Sequence, residues 1–324
     1  MRITLNIQKF QPETDKTPHM EPYRLDVGRG TTVLEALMRL KSDVDGTLSF
    51  RYACRSAICG SCAMEINGTH KLACKTQVRP ELERHGEIEV RPLKNLPVVK
   101  DLVTGMDQFW EKVREIKPWV EPLPEEQVDS ERMLNAYQTF SNVDACILCA
   151  ACVASCTVFE VSPGFIGPAA LAKAYRFVAD PREAGVKERL ENLQQDDGIW
   201  DCTRCNFCVE VCPKDVAPME AIIKLRRASI GAGMTQTMGS RHITAFTEII
   251  GEEGRLNEGK MPLKVIGGSI SDFLRILPNG IRMFLKGKVP FPFSFKPAIP
   301  GIAQVRAIFR ARKEQNTKQK TEKS

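Results

Sequence analysis

The chain is poor in histidine, tryptophan and tyrosine, with four, three and four among 324 residues. His19, His70, His85 and His242 are scattered and no two sit at a ligand-pair spacing, so a histidine-built metal site is not expected. No Ser/His/Asp pattern and no carboxylate pair stands out, which places any turnover of an organic substrate on a partner. No Gly-rich fingerprint for flavin or nicotinamide follows a strand; Gly28-Arg29-Gly30 has Val33 where a third glycine would fall, and fits a turn before a helix better than a phosphate loop. No apolar run reaches the ~18 residues that span a bilayer, and Met1–Phe10 has no apolar signal core. The expectation is a soluble cytoplasmic protein. Positive charge is also scarce over most of the chain. From Ile281 onward there are eleven Lys and Arg against two Glu, a net of +9 in a total of +6, leaving the remainder at about −3. Basicity confined to a tail argues against general nucleic-acid binding.

Cysteine is what the chain does have: twelve residues, in three sets with none left over. Cys54, Cys59, Cys62 and Cys74 are spaced C-x4-C-x2-C-x11-C, the plant-type ferredoxin pattern for a [2Fe–2S] cluster. Cys146, Cys149, Cys152 and Cys156 are spaced C-x2-C-x2-C-x3-C, and Cys202, Cys205, Cys208 and Cys212 repeat that spacing, with Pro213 after the last. This is the bacterial ferredoxin run, in which the fourth cysteine serves the other cluster. Crossed ligation is therefore expected: Cys146, Cys149, Cys152 and Cys212 on one cubane, and Cys156, Cys202, Cys205 and Cys208 on the other. Thiolates are the soft ligands that iron–sulfur clusters need. Zinc usually takes its ligands as two separated pairs, which these spacings do not match. Free thiols in this number point to a reducing compartment. Gly60 removes a side chain beside Cys59, so that backbone N–H groups can approach the sulfurs, and Arg51 and Arg55 flank the loop, where they would stabilise an added electron. Three centres in one chain describe a redox relay.

The fold class expected is α+β: an N-terminal β-grasp [2Fe–2S] ferredoxin domain, then an α-helical ferredoxin domain with two cubane clusters and an extended C-terminal tail. Ile3, Leu5 and Ile7, and then Tyr23, Leu25 and Val27, alternate with polar residues as two half-buried strands. Thr31 and Thr32 offer a helix start ahead of Val33, Leu34, Leu37, Met38 and Leu40. Asn67-Gly68 signals a hairpin between Ala63–Ile66 and Lys71–Ala73, folding Cys74 back near Cys62, and Glu87–Val90 is the last strand. The expected boundaries are 1–95 for the sheet domain, 96–130 for a Pro-punctuated linker with one helix over Asp101–Ile116, and 131–230 for the helical domain. A partner-docking region follows at 231–312, and a disordered basic tail at 313–324. In the helical domain Ala169–Val178 and Met219–Leu225 are helical, with Pro218 in a first turn. Further on, Phe273–Leu277 and Ile281–Leu285 form short amphipathic pieces broken by Pro278 and Gly280. A Pro and Phe segment at Val289–Pro300 carries Phe291, Phe293 and Phe295, which either pack internally or meet a partner, and a helix runs over Ile302–Phe309.

Over roughly residues 1–230 these motifs resemble the iron–sulfur subunit of succinate dehydrogenases and fumarate reductases. The likeness is carried by Cys54-Arg55-Ser56-Ala57-Ile58-Cys59-Gly60-Ser61-Cys62, by Pro97-Val98-Val99-Lys100-Asp101-Leu102-Val103 and Ile116-Lys117-Pro118-Trp119, by Cys146-Ile147-Leu148-Cys149, and by Phe165-Ile166-Gly167-Pro168-Ala169-Ala170-Leu171. The resemblance implies a flavoprotein partner that holds FAD and handles succinate or fumarate. Electrons then pass through a [2Fe–2S], a [4Fe–4S] and a distal [3Fe–4S] centre beside a quinone at a membrane anchor. It implies peripheral membrane association at the inner face of the cell membrane through partner subunits. Plant-type centres sit near ~−400 mV, too reducing for a succinate couple, so an elevated potential caused by Arg51, Arg55 and backbone donors is expected. The chain departs from the family pattern where Cys205 makes the distal set four thiolates, which predicts [4Fe–4S] there in place of [3Fe–4S]. It departs again at Thr203 and Val161, where quinone-reactive members often have His and Trp, and at Thr157, where Pro is common. The tail differs too. Gly254-Arg255-Leu256-Asn257-Glu258 and Lys288-Val289-Pro290 through Val305-Arg306 resemble the electron-transfer subunit of heterodisulfide reductases, which docks on a cysteine-rich partner. The alternative function is thus a thiol:fumarate or heterodisulfide-reductase-type relay, and the basic tail is suited to an anionic membrane surface.

Overall fold

The computed structural model describes residues 1–128, 130–267, 270–288 and 298–321. The chain divides into two compact units, Met1–Ala228 and Ser229–Ser324.

The first unit opens with β1 (Arg2–Lys9), β2 (His19–Asp26), α1 (Val33–Asp43), β3 (Ala63–Ile66), β4 (Thr69–Leu72), α2 (Val78–His85) and β5 (Ile88–Arg91). The strands form one sheet in the order β2-β1-β5-β3-β4. β1 runs antiparallel to β2, with Leu5 opposite Tyr23, and parallel to β5, with Ile7 opposite Val90. The alternation of apolar residues places Ile3, Leu5 and Ile7 on one face, and Leu34, Leu37 and Leu40 of α1 close over it. At roughly 1.5–3 kcal/mol for each large side chain withdrawn from water, this layer holds the sheet domain together. α1 starts where expected, in a capping box: Thr32 Oγ1 accepts the Glu35 N–H, and the Glu35 carboxylate accepts the Thr32 N–H. Asn67 (φ 48°) and Gly68 (φ 73°) make the β3–β4 turn, both left-handed, as a two-residue hairpin requires.

Three local differences from expectation have physical causes. α2 gave no clear periodic signal, because its eight residues include Pro80 and few apolar positions. The helix expected over Asp101–Ile116 is shorter, α3 (Asp107–Glu115). Its start is taken by a small hairpin, β6 (Val98–Lys100) and β7 (Val103–Thr104), that turns at left-handed Asp101 (φ 46°). The buried Asp101 carboxylate accepts the Phe10 N–H at 3.0 Å and the Ser49 N–H at 2.8 Å, which fixes the turn against the sheet domain.

A 3-10 turn at Glu125–Gln127 leads to α4 (Ser130–Asp144), α5 (Ala151–Ala154), α6 (Thr157–Val161), α7 (Pro168–Val178), α8 (Val186–Leu193), α9 (Phe207–Glu210) and α10 (Pro218–Gly231). α7 packs against α3, α4, α5 and α8. Buried Arg189 ties the connecting stretch to this bundle, donating to the carbonyls of Ile116, Lys117 and Trp119 and pairing with Glu183 at 2.9 Å. Asp180 is likewise enclosed by Arg176 and Arg182.

The second unit holds α11 (Met238–Glu253), α12 (Lys260–Ile266), α13 (Ile270–Leu285) and α14 (Ile302–Thr321). Its core is small: Ala245, Ile249 and Met261, with Val265 against them. α14 crosses α11 at Gly251, where an added Cβ would stand 2.9 Å from the Phe309 ring. Two expectations are corrected here. The pieces Phe273–Leu277 and Ile281–Leu285 are one helix, α13, with Pro278 inside it. The helix expected over Ile302–Phe309 continues to Thr321, through residues assigned to a disordered tail, because that stretch has no Gly or Pro and is rich in Arg, Lys and Gln, which favour helix. Residues 289–297 of the Pro and Phe segment, with Phe291, Phe293 and Phe295, lie outside the described residues.

Candidate metal centres

The first cysteine loop lies in the irregular stretch between α1 and β3, and its backbone curls around the sulfurs. Arg55 (φ 57°), Ala57 (φ 56°) and Gly60 (φ 76°) are left-handed, which turns successive N–H groups inward. Cys54 Sγ receives the N–H groups of Ser56, Ile58 and Cys59 at 3.3–3.4 Å, and Cys74 Sγ, from the far side of the hairpin, receives the Ala57 N–H at 3.3 Å. Cys59 is exposed and Cys62 buried. Hydrogen bonds from Ser61 and from the Cys54 and Ser61 backbone pull the Cys59 thiol down to about 6, whereas burial pushes the Cys62 thiol up to about 12. Arg55 lies over the Tyr52 ring at 5.5 Å, and Arg51 shares a cavity wall with Cys59.

The two repeated motifs have matching backbones. Leu148 (φ 54°) and Ala150 (φ 62°) flank Cys149, and Arg204 (φ 61°) and Asn206 (φ 74°) flank Cys205. Each motif then enters a four-residue helix, α5 or α9. One cavity is lined by Cys146, Cys149, Cys152 and Cys212, with Ile147, Leu148, Ala169 and Val216 among the apolar walls. Cys212 has crossed over from the third motif, and its sulfur receives the Val216 N–H at 3.4 Å. Burial raises the Cys149 thiol to about 11 and the Cys152 thiol well above the usual range, and the neighbouring Cys146 and Cys212 add to both effects. The complementary set gathers around Cys208, whose thiol burial pushes up to about 12 with Cys202, Cys156 and Cys205 close by. Cys156 caps α6, its sulfur receiving the Phe159 N–H at 3.5 Å, and Thr157 Oγ1 points to Cys205 Sγ at 3.8 Å. Arg226, buried, donates to the carbonyls of Ile199, Trp200 and Cys202 and fixes the approach to the third motif.

The fold places Cys146, Cys149, Cys152 and Cys212 around one cavity, brings Cys156, Cys202 and Cys205 near Cys208, and draws Cys54, Cys59, Cys62 and Cys74 together at the first loop. The donors are thiols, backbone N–H groups are aimed at several of the sulfurs, and the cavity around Cys146, Cys149, Cys152 and Cys212 has mostly apolar walls. That is a chemical fit to iron–sulfur clusters, which hydrogen bonds to sulfur and burial tune.

Several contacts carried no sequence signal. A Cβ on Gly60 would stand 2.8 Å from Cys149 Cβ and 3.1 Å from the Ile147 carbonyl, so only glycine lets the first loop sit on the second. Cys152 is close enough to Cys208 to feel its charge. Asn95 donates to the carbonyls of Val153, Ala154 and Cys156. His70, 5 % exposed, links β4 to the second motif. Its Nδ1 is 2.6 Å from Ser155 Oγ, and the Lys94 N–H and the Glu65 carboxylate each lie 3.5 Å from its Nε2. In the third motif Thr203, Cys205 and Phe207 are exposed, and so is Val161 at the end of α6.

Comparison with known proteins agrees with this arrangement. A family described as a 2Fe-2S iron-sulfur cluster binding domain matches residues 4–111, and a 4Fe-4S dicluster domain matches residues 142–216. The fumarate reductase iron-sulfur subunit of Haemophilus influenzae is 36% identical over 236 residues, covering 68% of this chain and 90% of the relative. That of Mycobacterium tuberculosis is 39% identical over 227 residues, with the same coverage of 68% and 90%. The succinate dehydrogenase iron-sulfur subunit of Coxiella burnetii is 36% identical over 230 residues, covering 69% and 95%. Among solved structures, a chain of the Mycobacterium smegmatis Sdh1 complex matches with a TM-score of 0.61 at 27% identity, covering 70% of this chain and 95% of that one. The chain, with its 2Fe-2S and 4Fe-4S binding domains, belongs to the iron–sulfur electron-transfer subunits of fumarate reductases and succinate dehydrogenases.

Proposed function

We propose that the chain is a three-centre conductor between a flavoprotein subunit, which carries the flavin and the succinate or fumarate, and an acceptor or donor at the opposite end. The observation that carries this reading is the succession of thiols. Exposed Cys59 stands at one end, its neighbour Gly60 packs on Cys149, half-buried Cys152 neighbours Cys208, and exposed Cys205 stands at the other end. Bound clusters supply one-electron steps, dividing a two-electron flavin reaction into single transfers. The chain's own part is to hold, insulate and tune. Cys54, Cys59, Cys62 and Cys74 hold a [2Fe–2S] cluster. Cys146, Cys149, Cys152 and Cys212 hold one [4Fe–4S], and Cys156, Cys202, Cys205 and Cys208 hold a second. The four-thiol distal set supports four irons over three. Because burial keeps most of the inner thiols protonated without metal, cluster loading must expel those protons.

A second reading concerns the far partner. Thr203 and Val161 are both exposed, and neither side chain has the ring N–H donor expected for a quinone. This favours a cysteine-rich, heterodisulfide-reductase-like subunit, and hence a thiol-linked relay, over a cytochrome b anchor. Among the described residues no helix is long and apolar enough to cross a membrane.

The decisive experiment is anaerobic iron and sulfide quantitation with EPR of oxidised and reduced protein. The expected result is ~10 irons per chain in one two-iron and two four-iron centres. A three-iron signal that persists without air exposure would overturn the role of Cys205, and a colourless, iron-free preparation after proper cluster assembly would overturn the conductor itself. Isolation of the intact complex tests the second reading: haem b without a cysteine-rich subunit removes it.

A further inference from the structure

α13 is the most amphipathic helix of the chain, and the core of its unit closes without it. Ala245, Ile249, Met261 and Val265 of α11 and α12 form that core. The large apolar side chains of α13 face outward: Ile270 is 77% exposed, Leu274 59%, Ile281 50% and Leu285 78%, with Phe273, Ile276, Leu277 and Met283 also open. At 100° per residue these positions fill one continuous arc of about 200° along the whole helix. The opposite arc holds Arg275, Asn279 and Arg282, and the chain leaves the helix through Lys286 and Lys288. The helix contains a single acidic residue, Asp272. Pro278 lies at the border of the two arcs and interrupts neither.

The breadth of the arc selects the occupant. A helix that enters a protein groove presents a narrow seam of anchors spaced i, i+3, i+4 and i+7. A helix lying in a bilayer interface buries about half its circumference and keeps cations on the other half, among phosphates. The charge agrees, since the chain from Ile281 onward has a net of +9, Arg310 and Arg312 of α14 included. We propose that α13 is an in-plane membrane helix. Its apolar arc sits at the acyl boundary of an anionic bilayer, and Arg275, Arg282, Lys286 and Lys288 lie among the lipid headgroup phosphates. The chain then touches the membrane directly, whichever partner receives its electrons.

The test is flotation of the full-length, cluster-loaded chain, prepared anaerobically, with vesicles of phosphatidylcholine plus phosphatidylglycerol and with vesicles of phosphatidylcholine alone. The wild type is expected to float with the anionic vesicles and to be released by salt. Leu274→Glu with Ile281→Glu should lower the partition at least tenfold. Arg275→Gln and Arg282→Gln should lower it about fivefold each. Both sets alter exposed positions, so visible absorption and EPR spectra should match the wild type and certify the fold. A wild type that stays with the soluble fraction overturns the proposal, as does a Leu274/Ile281 variant that floats equally well. If the wild type does not float and the double variant instead loses a co-purifying subunit, the face belongs to a protein and the lipid assignment fails.

Discussion

Cys149 and Cys205 occupy the same place in two motifs of the same spacing, between residues of the same left-handed backbone, yet their surroundings are opposite. The loop around Cys149 is covered by Gly60 of the first cysteine loop, and its thiol is driven upward by burial. Cys205 is exposed, with the Thr157 hydroxyl 3.8 Å from its sulfur. The spacing therefore dictates how the chain wraps a centre, and the packing of distant segments dictates whether that centre is an interior station or a terminus. Burial and solvent access are also what set the potential of such centres, so two copies of one motif can serve different stations.

Serine substitutions at the paired positions break the comparison most strongly. Cys149→Ser removes a ligand from the enclosed set and is expected to cost that whole cubane, about four irons per chain, with loss of helical content by circular dichroism. Cys205→Ser, at the open set, is expected to cost about one iron and to give an oxidised three-iron EPR signal with the fold kept. Equal losses would mean that the two motifs are not distinguished by their surroundings.

Gly60→Ala attacks the cover itself. The left-handed φ and the 2.8 Å approach to Cys149 Cβ are expected to cost roughly 2–4 kcal/mol in urea unfolding, and to slow transfer between the first two centres in freeze-quench EPR. A neutral result would show that the two loops part without penalty.

His70 sharpens the comparison from the other side of the enclosed motif, where Glu65, Lys94 and Ser155 face it. Burial, aided by Lys94 and opposed by Glu65, depresses the imidazole below 6.5. The unfolded chain therefore takes up the proton first, and stability is full above 6.5 and lost as pH falls below it. Thermal unfolding should show this slope in the wild type and a flatter profile in His70→Gln.

The smallest effect is expected at the open end. Thr157→Val removes the hydroxyl 3.8 Å from Cys205 Sγ and should lower the distal potential by roughly 20–40 mV, the one-electron equivalent of ~0.5–1 kcal/mol of hydrogen bonding, in an EPR-monitored titration.

The sequence disclosed what local chemistry encodes. The Asn67-Gly68 hairpin and the Thr32 helix start follow from side-chain type, and the structure has both of them; the expected partner of Cys146, Cys149 and Cys152, Cys212, lines the same cavity. What stayed hidden depends on contacts remote in sequence. Nothing about Gly60 announces that its missing Cβ makes room for Cys149, and a lone His70 gives no sign of Ser155, 85 residues away. Local reading also overvalued breakers. Pro278 and Gly280 suggested an interruption, but the apolar arc of α13 continues through both, and Asp101 turned a hairpin where a helix was expected.

The exchange of Cys156 and Cys212 between motifs has a consequence for the life of the chain. Under the ligand sets proposed above, each cubane closes a loop of more than 40 residues, and the loop from Cys156 to Cys202 lies inside the loop from Cys152 to Cys212. Each cubane draws ligands from both motifs, so losing the iron of either one loosens the join between them. Closing long loops in this way withdraws most from the freedom of the unfolded chain. Iron scarcity in the cell would thus leave a polypeptide whose helical half is slack and open to proteases, which couples the abundance of the subunit to the supply of its metal.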